Sequence, residues 1–287
     1  MNGSVQLPVF KVSGGSLQSG NDILAVEEPL EIRLVYGSPH SPITQNLAVT
    51  MRTPGNDEEL ALGFIFTEGI ITHDTDIDRI EHVFTHCSEN NQNIIQVILN
   101  DGVIPNLLHA ERNFYTTSSC GVCGKTSIQA IRSVSSFPSE SMHFDPMDPG
   151  VIVSLPDKLA KQQQLFADTG GLHAAALFSN EGKLIFIRED VGRHNALDKL
   201  IGTSLHAKML PLTKSILLLS GRASFELVQK AAMASIPVIV AIGAPSSLAV
   251  SLAKEFGITL VGFLRNNRFN IYAGEERIKI PVHENSY

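Results

Sequence analysis

The sequence predicts a mixed α/β and α+β protein, with a small α+β N-terminal domain over residues 1–110 and a larger α/β domain over 111–287. Three observations predict it. From residue 172 to 263 short apolar runs alternate with helix-length segments, the pattern of a parallel or mixed sheet covered by helices. The runs at 216–219, 237–242 and 258–263 are almost wholly apolar, as strands buried on both faces are. Before residue 110 the runs are β-branched, partly alternating and joined by tight turns, which reads as hairpins. A chain of 287 residues that is 43% hydrophobic can bury a full core.

In order along the chain, residues 1–20 are rich in Gly and Ser and read as a loosely held arm. Strands are expected at 23–36 and 44–52, joined by the turn Gly37-Ser38-Pro39-His40-Ser41-Pro42. Asn56 reads as the cap of a helix whose first turn carries Asp57, Glu58 and Glu59, where the macrodipole favours acids. Leu60, Ala61, Phe64 and Ile65 give that helix one apolar face, and Gly69 ends it. Strands follow at 82–86 and 94–99. The second region opens with a strand at 113–117, a cysteine loop and a helix at 126–134. Residues 135–150 read as a long loop and 157–166 as a helix. Strands are then expected at 172–178, 183–188, 216–219, 237–242 and 258–263, with helices at 195–201, 225–234 and 248–256.

Composition narrows the function. A net charge of −7 disfavours a duplex nucleic-acid partner, which wants a basic face. No signal peptide and no apolar stretch of spanning length is visible, and three cysteines fit a reducing compartment. A cytoplasmic protein without a membrane partner is the expectation.

In such a sheet, ligands bind beyond the carboxyl ends of the strands. Those ends here carry Arg188 to Asn195 (with Arg193 and His194), Ser220-Gly221-Arg222-Ala223-Ser224, Gly243-Ala244-Pro245-Ser246-Ser247 and Arg265-Asn266-Asn267-Arg268. Glycine admits close backbone approach, Ser and Asn donate hydrogen bonds, and Arg pairs bidentately with phosphate. One such loop is ordinary capping chemistry. Four together point to a large phosphorylated or nucleotide-like ligand, although neither standard nucleotide motif is present.

Cys120 and Cys123 form the chain's one C-x-x-C, within Ser119-Cys120-Gly121-Val122-Cys123-Gly124-Lys125. The spacing admits half of a metal site, a thiol-redox switch or a nucleophilic thiol. A zinc site would draw further ligands from His173, His194, or Cys87 with His86. A zinc deaminase also needs His-x-Glu and Pro-Cys-x-x-Cys, whereas position 175 is Ala and position 119 is Ser. His173, in a small apolar run, equally reads as a satisfied core histidine. The mid-chain position is unlike a thioredoxin motif. The flanking glycines, Lys125 and a following helix N-terminus would favour a thiolate, as sulfur-transfer chemistry requires. A zinc-binding or redox-regulatory module stays open beside that reading.

The segments at 51–71, 118–124 (Ser-Ser-Cys-Gly-Val-Cys-Gly), 169–175 (Thr-Gly-Gly-Leu-His-Ala-Ala), 188–202, 220–233 and 260–272 together resemble the FdhD/NarQ formate dehydrogenase accessory proteins. The resemblance implies a sulfur carrier that takes sulfur from a cysteine desulfurase and passes it to the molybdenum-bis(molybdopterin guanine dinucleotide) cofactor of formate dehydrogenase. It implies a cytidine deaminase-like three-layer α/β fold for the second domain. Cys120 would carry the persulfide and Cys123 would be its partner thiol, with no metal bound. Phe263, Leu264, Arg265, Asn266, Asn267 and Arg268 lie where the family binds the cofactor, and Ser220, Arg222, His173 and His194 join that expected set. Relatives commonly carry glycine between the two basic residues of the last loop. Here Asn266 and Asn267 stand there, and Asn tolerates the left-handed backbone better than other non-glycine residues. A homodimer is the expected assembly.

Overall fold

A computed structural model describes residues 3–84, 93–107 and 144–279. The expected domain boundary at 110/111, the strand at 113–117, the cysteine loop and the helix at 126–134 lie outside the described residues. The chain groups into two compact units, each discontinuous in sequence.

The first unit takes the described residues up to 107 together with 163–174 and 188–208. Its first element is a hairpin, not a loose arm: β1 (Ser4–Ser13) pairs with β2 (Ser16–Ala25) over ten residue pairs. The turn is Gly14-Gly15, with φ of 56° and 81°, the left-handed pair that a two-residue hairpin loop needs. A four-stranded sheet follows in the order β4-β3-β6-β5, from β3 (Glu28–Ser38), β4 (Ser41–Arg52), β5 (Ile77–His82) and β6 (Ile94–Leu99). β3 runs antiparallel to β4 and parallel to β6, because α1 (Asp57–Thr67) intervenes between the two hairpins. Leu30, Ile32, Leu34, Ile95 and Val97 are wholly buried on one face of this sheet.

α1 packs against both β6 and α4 (Arg193–His206), so it is apolar around most of its circumference. Leu60, Leu62, Ile65 and Phe66 are all buried, and the expected one-sided apolar face is corrected to a helix covered on opposite sides. The expected Asn56 side-chain cap is also corrected. Asn56 occupies the N-cap position with φ 57° but caps no backbone amide through its side chain. Asp57 instead accepts two hydrogen bonds from the wholly buried Arg52, at 3.0 and 2.9 Å.

Two glycines set the separation of α1 and α4. A Cβ on Gly63 would lie 1.9 Å from the Asp198 carbonyl oxygen, and one on Gly202 would lie 1.9 Å from that of Glu59. Neither carbonyl can turn aside within its helix, so Gly63→Ala or Gly202→Ala must push the helices apart. The expected loss is about 3 kcal/mol, the upper range for overpacking a core, read as a lowered denaturant midpoint. Gly102→Ala, where nothing lies within 4 Å of the added methyl but φ is 81°, controls for backbone strain alone.

The second unit takes the described residues 144–162, 175–187 and 209–279. Its sheet has the order β12-β11-β10-β9-β7-β8. β9 (Ser215–Leu219), β10 (Val238–Ala241) and β11 (Thr259–Arg265) are parallel, and every residue of β9 and β10 is buried. α5 (Phe225–Met233) and α6 (Ser247–Glu255) make the crossovers. β7 (His173–Ser179) is antiparallel to β9 and continues through a tight turn into β8 (Leu184–Asp190). β12 (Arg268–Ala273), of which the sequence reading placed only Arg268, in the loop after the last expected strand, closes the other edge antiparallel to β11. The expected loop to residue 150 ends early. Asp148 accepts from the Gly150 amide at 2.6 Å and Pro149 opens α2 (Pro149–Ala160), where its missing N–H costs nothing. The expected helix at 157–166 is divided between α2 and α3 (Gln164–Thr169).

Candidate functional site

The carboxyl ends of β9, β10 and β11 are joined by backbone hydrogen bonds into one ledge. Ile242 N–H donates to Leu219 O and Gly243 N–H to Gly221 O, while Phe263 N–H donates to Gly243 O, at 3.0, 2.9 and 3.0 Å. Ala223 and Ala244, and Ser246 and Ala223, add two more such bonds. The ledge needs glycine where the segments touch. A Cβ on Gly243 would sit 3.0 Å from Gly221 O, and one on Gly262 would sit 2.8 Å from the Pro245 ring. Three separate sequence segments, 220–224, 243–247 and 263–268, thereby share one edge of the sheet. Gly221, Gly243, Gly262 and Pro245 as the joints of this ledge were not legible in advance, because each acts only against a neighbouring strand end.

The predicted residues Ser220, Arg222, Phe263, Leu264, Arg265, Asn266, Asn267 and Arg268 all lie on or beside this edge. Arg222, Arg265, Asn266, Asn267 and Arg268 are exposed and Leu264 is buried. Asn266 and Asn267 have φ of 52° and 56° and form the two-residue turn of the β11–β12 hairpin, with Arg265 opposite Arg268. Asn supplies the positive φ that such a turn requires at both positions. Phe263 also has positive φ, 54°, at an irregularity between Gly262 and Arg265. A bulky residue held there stores roughly 1–3 kcal/mol, and such outliers cluster at functional sites. The Arg265 guanidinium stands 5.9 Å from the Phe263 ring centroid. None of the three loops carries an acid, so the edge presents three guanidinium groups in a protein of net negative charge.

His173 and His194 belong to the first unit. Burial lowers the His173 pKa below the ordinary imidazole value; the charges of Arg193 and His194 lower it further, and Asp190 opposes them. His173 is therefore neutral at neutral pH, able to offer one donor and one acceptor. The loop from Asp190 to Asn195 is fixed from beneath. Wholly buried Asp190 accepts from the Thr53 amide at 3.2 Å, the Gly192 amide at 2.8 Å and Asn195 Nδ2 at 3.1 Å. It also pairs with Lys199 Nζ at 2.7 Å, and Lys199 donates to Thr53 O at 2.8 Å. Asp190, Lys199 and Thr53 were missed as a unit, because sequence distance hides their contact.

Glu189 precedes this network, half-buried, and accepts from the Phe166 amide at 3.1 Å. Burial raises its pKa above the carboxylate norm despite that bond and others from Leu165 and Gln163. A raised folded pKa means its contribution is fully present below the unfolded value and is lost as pH rises through the folded one. Glu189→Gln keeps an acceptor without the charge. It is expected to be more stable than the parent at pH 7, with the difference vanishing as pH falls toward 4, measured by thermal unfolding across that range.

Cys120 and Cys123 lie outside the described residues. A cavity of about 300 Å³ in the first unit is lined by Asp57, Glu58, Glu59, His82 and His206, and its acids make it a poor host for phosphate. Among the described residues no cluster of His, Cys, Asp and Glu is arranged to hold a metal, and no helix is long and apolar enough to cross a membrane.

The fold and the basic strand-end ledge define a mixed α/β protein with a basic edge at the ends of three parallel strands. Residues 25–279 match the model of the FdhD/NarQ family. The chain is 49% identical over 274 residues to a sulfur carrier protein FdhD of Streptomyces avermitilis, covering 95% of this chain and 94% of that one. It is 44% identical over 275 residues to a sulfur carrier protein FdhD of Sulfolobus acidocaldarius, covering 96% and 98%. A crystal structure from Desulfotalea psychrophila, described as a formate dehydrogenase accessory protein, superposes with a TM-score of 0.68 at 25% identity, over 96% of this chain and 99% of that one. The chain belongs to the FdhD/NarQ family.

Proposed function

We propose that this protein is a cytoplasmic sulfurtransferase of formate dehydrogenase maturation. It takes sulfur from a cysteine desulfurase onto Cys120 and delivers it to the molybdenum-bis(molybdopterin guanine dinucleotide) cofactor, which is its bound acceptor. Membership of a family whose curated relatives are named sulfur carriers carries the reading. The chemistry of the ledge supports it. Arg222, Arg265 and Arg268 are suited to pair with phosphates, while Ser220 and the amides of the glycine-containing loops add neutral donors. The Phe263 to Arg268 segment would receive a guanine end. A deaminase-like layering of the second unit and a homodimeric assembly belong to the same proposal.

The Cys120 thiolate attacks the outer sulfur of the desulfurase persulfide, the desulfurase thiolate leaves, and Cys120 holds S–SH. Release as sulfide needs two electrons. Cys123 supplies them by attacking the inner sulfur, forming the Cys120–Cys123 disulfide and expelling hydrosulfide, after which a thiol reductant restores the pair. Mass spectrometry after incubation with a cysteine desulfurase and cysteine should show the mass of one added sulfur atom localised to Cys120. Absence of that addition, or stoichiometric zinc held by the two cysteines, would overturn the reading.

A further inference from the structure

The β11–β12 hairpin breaks register twice, once on each strand. Between the pairs Leu260–Ala273 and Val261–Ile271, Tyr272 is an extra residue with no partner on β11. Between Gly262–Asn270 and Arg265–Arg268, Phe263 and Leu264 together face Phe269 alone. Bulges gather beside functional sites, where they re-aim a side chain. The first of these lays the half-buried Tyr272 ring over Gly262. A Cβ at Gly262 would stand 3.1 Å from Tyr272 Cε2, 2.8 Å from the Pro245 ring and 3.2 Å from Gly243 O. Pro245 and Gly243 belong to the ledge, so the ring stands against it.

Packing accounts for the ring, since an aromatic side chain readily covers a strand glycine. It does not account for what sits at the hydroxyl. The exposed Asn270 donates through Nδ2 to Tyr272 Oη at 3.4 Å, a bond in solvent that satisfies no buried group. Among the described residues, neither side chain makes any other hydrogen bond. With a lone pair engaged by Asn270, Oη keeps its proton to donate, and Asn270 Oδ1 keeps its acceptor. One donor and one acceptor therefore stand side by side at the ledge.

We propose that Tyr272 and Asn270 read the base of the nucleotide held at this edge and select guanine over adenine. This rests on the cofactor reading of the ledge and gives a specificity role to two residues outside the Phe263 to Arg268 segment. Guanine offers the O6 acceptor beside the N1–H donor, the complement of what the pair presents. Tyr272 Oη–H donates to O6, and Asn270 Oδ1 accepts from N1–H. Adenine offers the N6 amino donor beside the N1 acceptor, so donor meets donor and acceptor meets acceptor. Arg222, Arg265 and Arg268 meet the same phosphates in either nucleotide, so discrimination has to come from the base.

Isothermal calorimetry on the full chain with GDP, ADP and IDP tests this. The parent should bind GDP roughly tenfold more tightly than ADP, the scale of one to two neutral hydrogen bonds. IDP, which keeps O6 and N1–H and lacks the 2-amino group, should follow GDP. Tyr272→Phe keeps the ring over Gly262 and removes the hydroxyl, and Asn270→Leu removes the amide. Each should bring GDP affinity down to that of ADP, with ADP binding and the melting temperature unchanged. Arg268→Gln, which loses a phosphate contact, should weaken both nucleotides alike and keep their ratio. A parent that binds neither GDP nor ADP overturns the ledge as a nucleotide site, and the base reading with it. Equal affinity for GDP and ADP, IDP that follows ADP, or a ratio unchanged in Tyr272→Phe and Asn270→Leu overturns the base reading alone.

Discussion

Cys120→Ala is expected to yield a folded protein that accepts no sulfur and leaves formate dehydrogenase inactive. On the proposed division of labour the effect is all-or-none, because Cys120 alone receives the desulfurase sulfur and Cys123 acts only on the persulfide already formed. The same change should leave binding of the molybdenum cofactor near the parent value, since the ledge of Arg222, Arg265 and Arg268 is built from other segments. Cys123→Ala separates the two thiol roles. It should still load one sulfur on Cys120, yet release sulfide slowly unless an external thiol is supplied. The readouts are mass after desulfurase treatment and formate oxidation by dehydrogenase matured with each variant. Full maturation by Cys120→Ala would remove the proposed carrier chemistry, and equal loading defects in both variants would remove the division of labour.

The parts of the fold that sequence could foresee are those whose surroundings are uniform. β9 and β10 are buried at every residue, so their apolar runs announce them. α5 and α6 lie close to their expected spans for a different reason: each buries one set of apolar positions at helical spacing, Ala249, Leu252 and Ala253 in α6. Elements with mixed surroundings were less legible. α1 is covered by both β6 and α4, and the close approach at Gly63 and Gly202 is a property of the pair, invisible in either helix alone. The β1–β2 strands are almost wholly exposed, so they lack the buried stripe that marks a strand, and Gly14-Gly15 reads equally as a linker or as a hairpin turn. β12 was hidden because Asn266-Asn267 serves as both a hairpin turn and part of the basic edge.

The site divides along the same line. Arg222, Arg265 and Arg268 could be named because Arg in a loop after a strand has few structural duties. The joints of the ledge could not, since Gly243 matters only beside Gly221 and Gly262 only beside Pro245. His173 could be singled out by type, but the neutral state that burial and Arg193 impose on it follows from neighbours distant in sequence.

Asp190→Ala is expected to cost the first unit about 3–5 kcal/mol, the range for stranding one member of a buried ion pair. Lys199 is 1% exposed and would be left with only the Thr53 carbonyl as partner. The Thr53 and Gly192 amides and Asn195 Nδ2 would each lose an acceptor, and a buried donor left unmade costs energy of its own. Against a typical total of ~5–15 kcal/mol, such a loss lowers the melting temperature by roughly 10 °C, at ~2–4 °C per kcal/mol for a unit of this size. Lys199→Met alone should be nearly as harmful, because it leaves the Asp190 carboxylate buried without its cation. The double variant Asp190→Asn with Lys199→Met removes both charges and keeps an acceptor for Gly192. It should recover a large part of the loss, since the desolvation of two ions is no longer opposed to their attraction. A double-mutant cycle of Asp190→Asn and Lys199→Met, with each single variant and the double measured by urea unfolding, isolates that coupling. A coupling below about 0.5 kcal/mol would mean that Asp190 acts through its amide bonds alone, as an anchor for the N-terminus of α4, which carries Arg193 and His194.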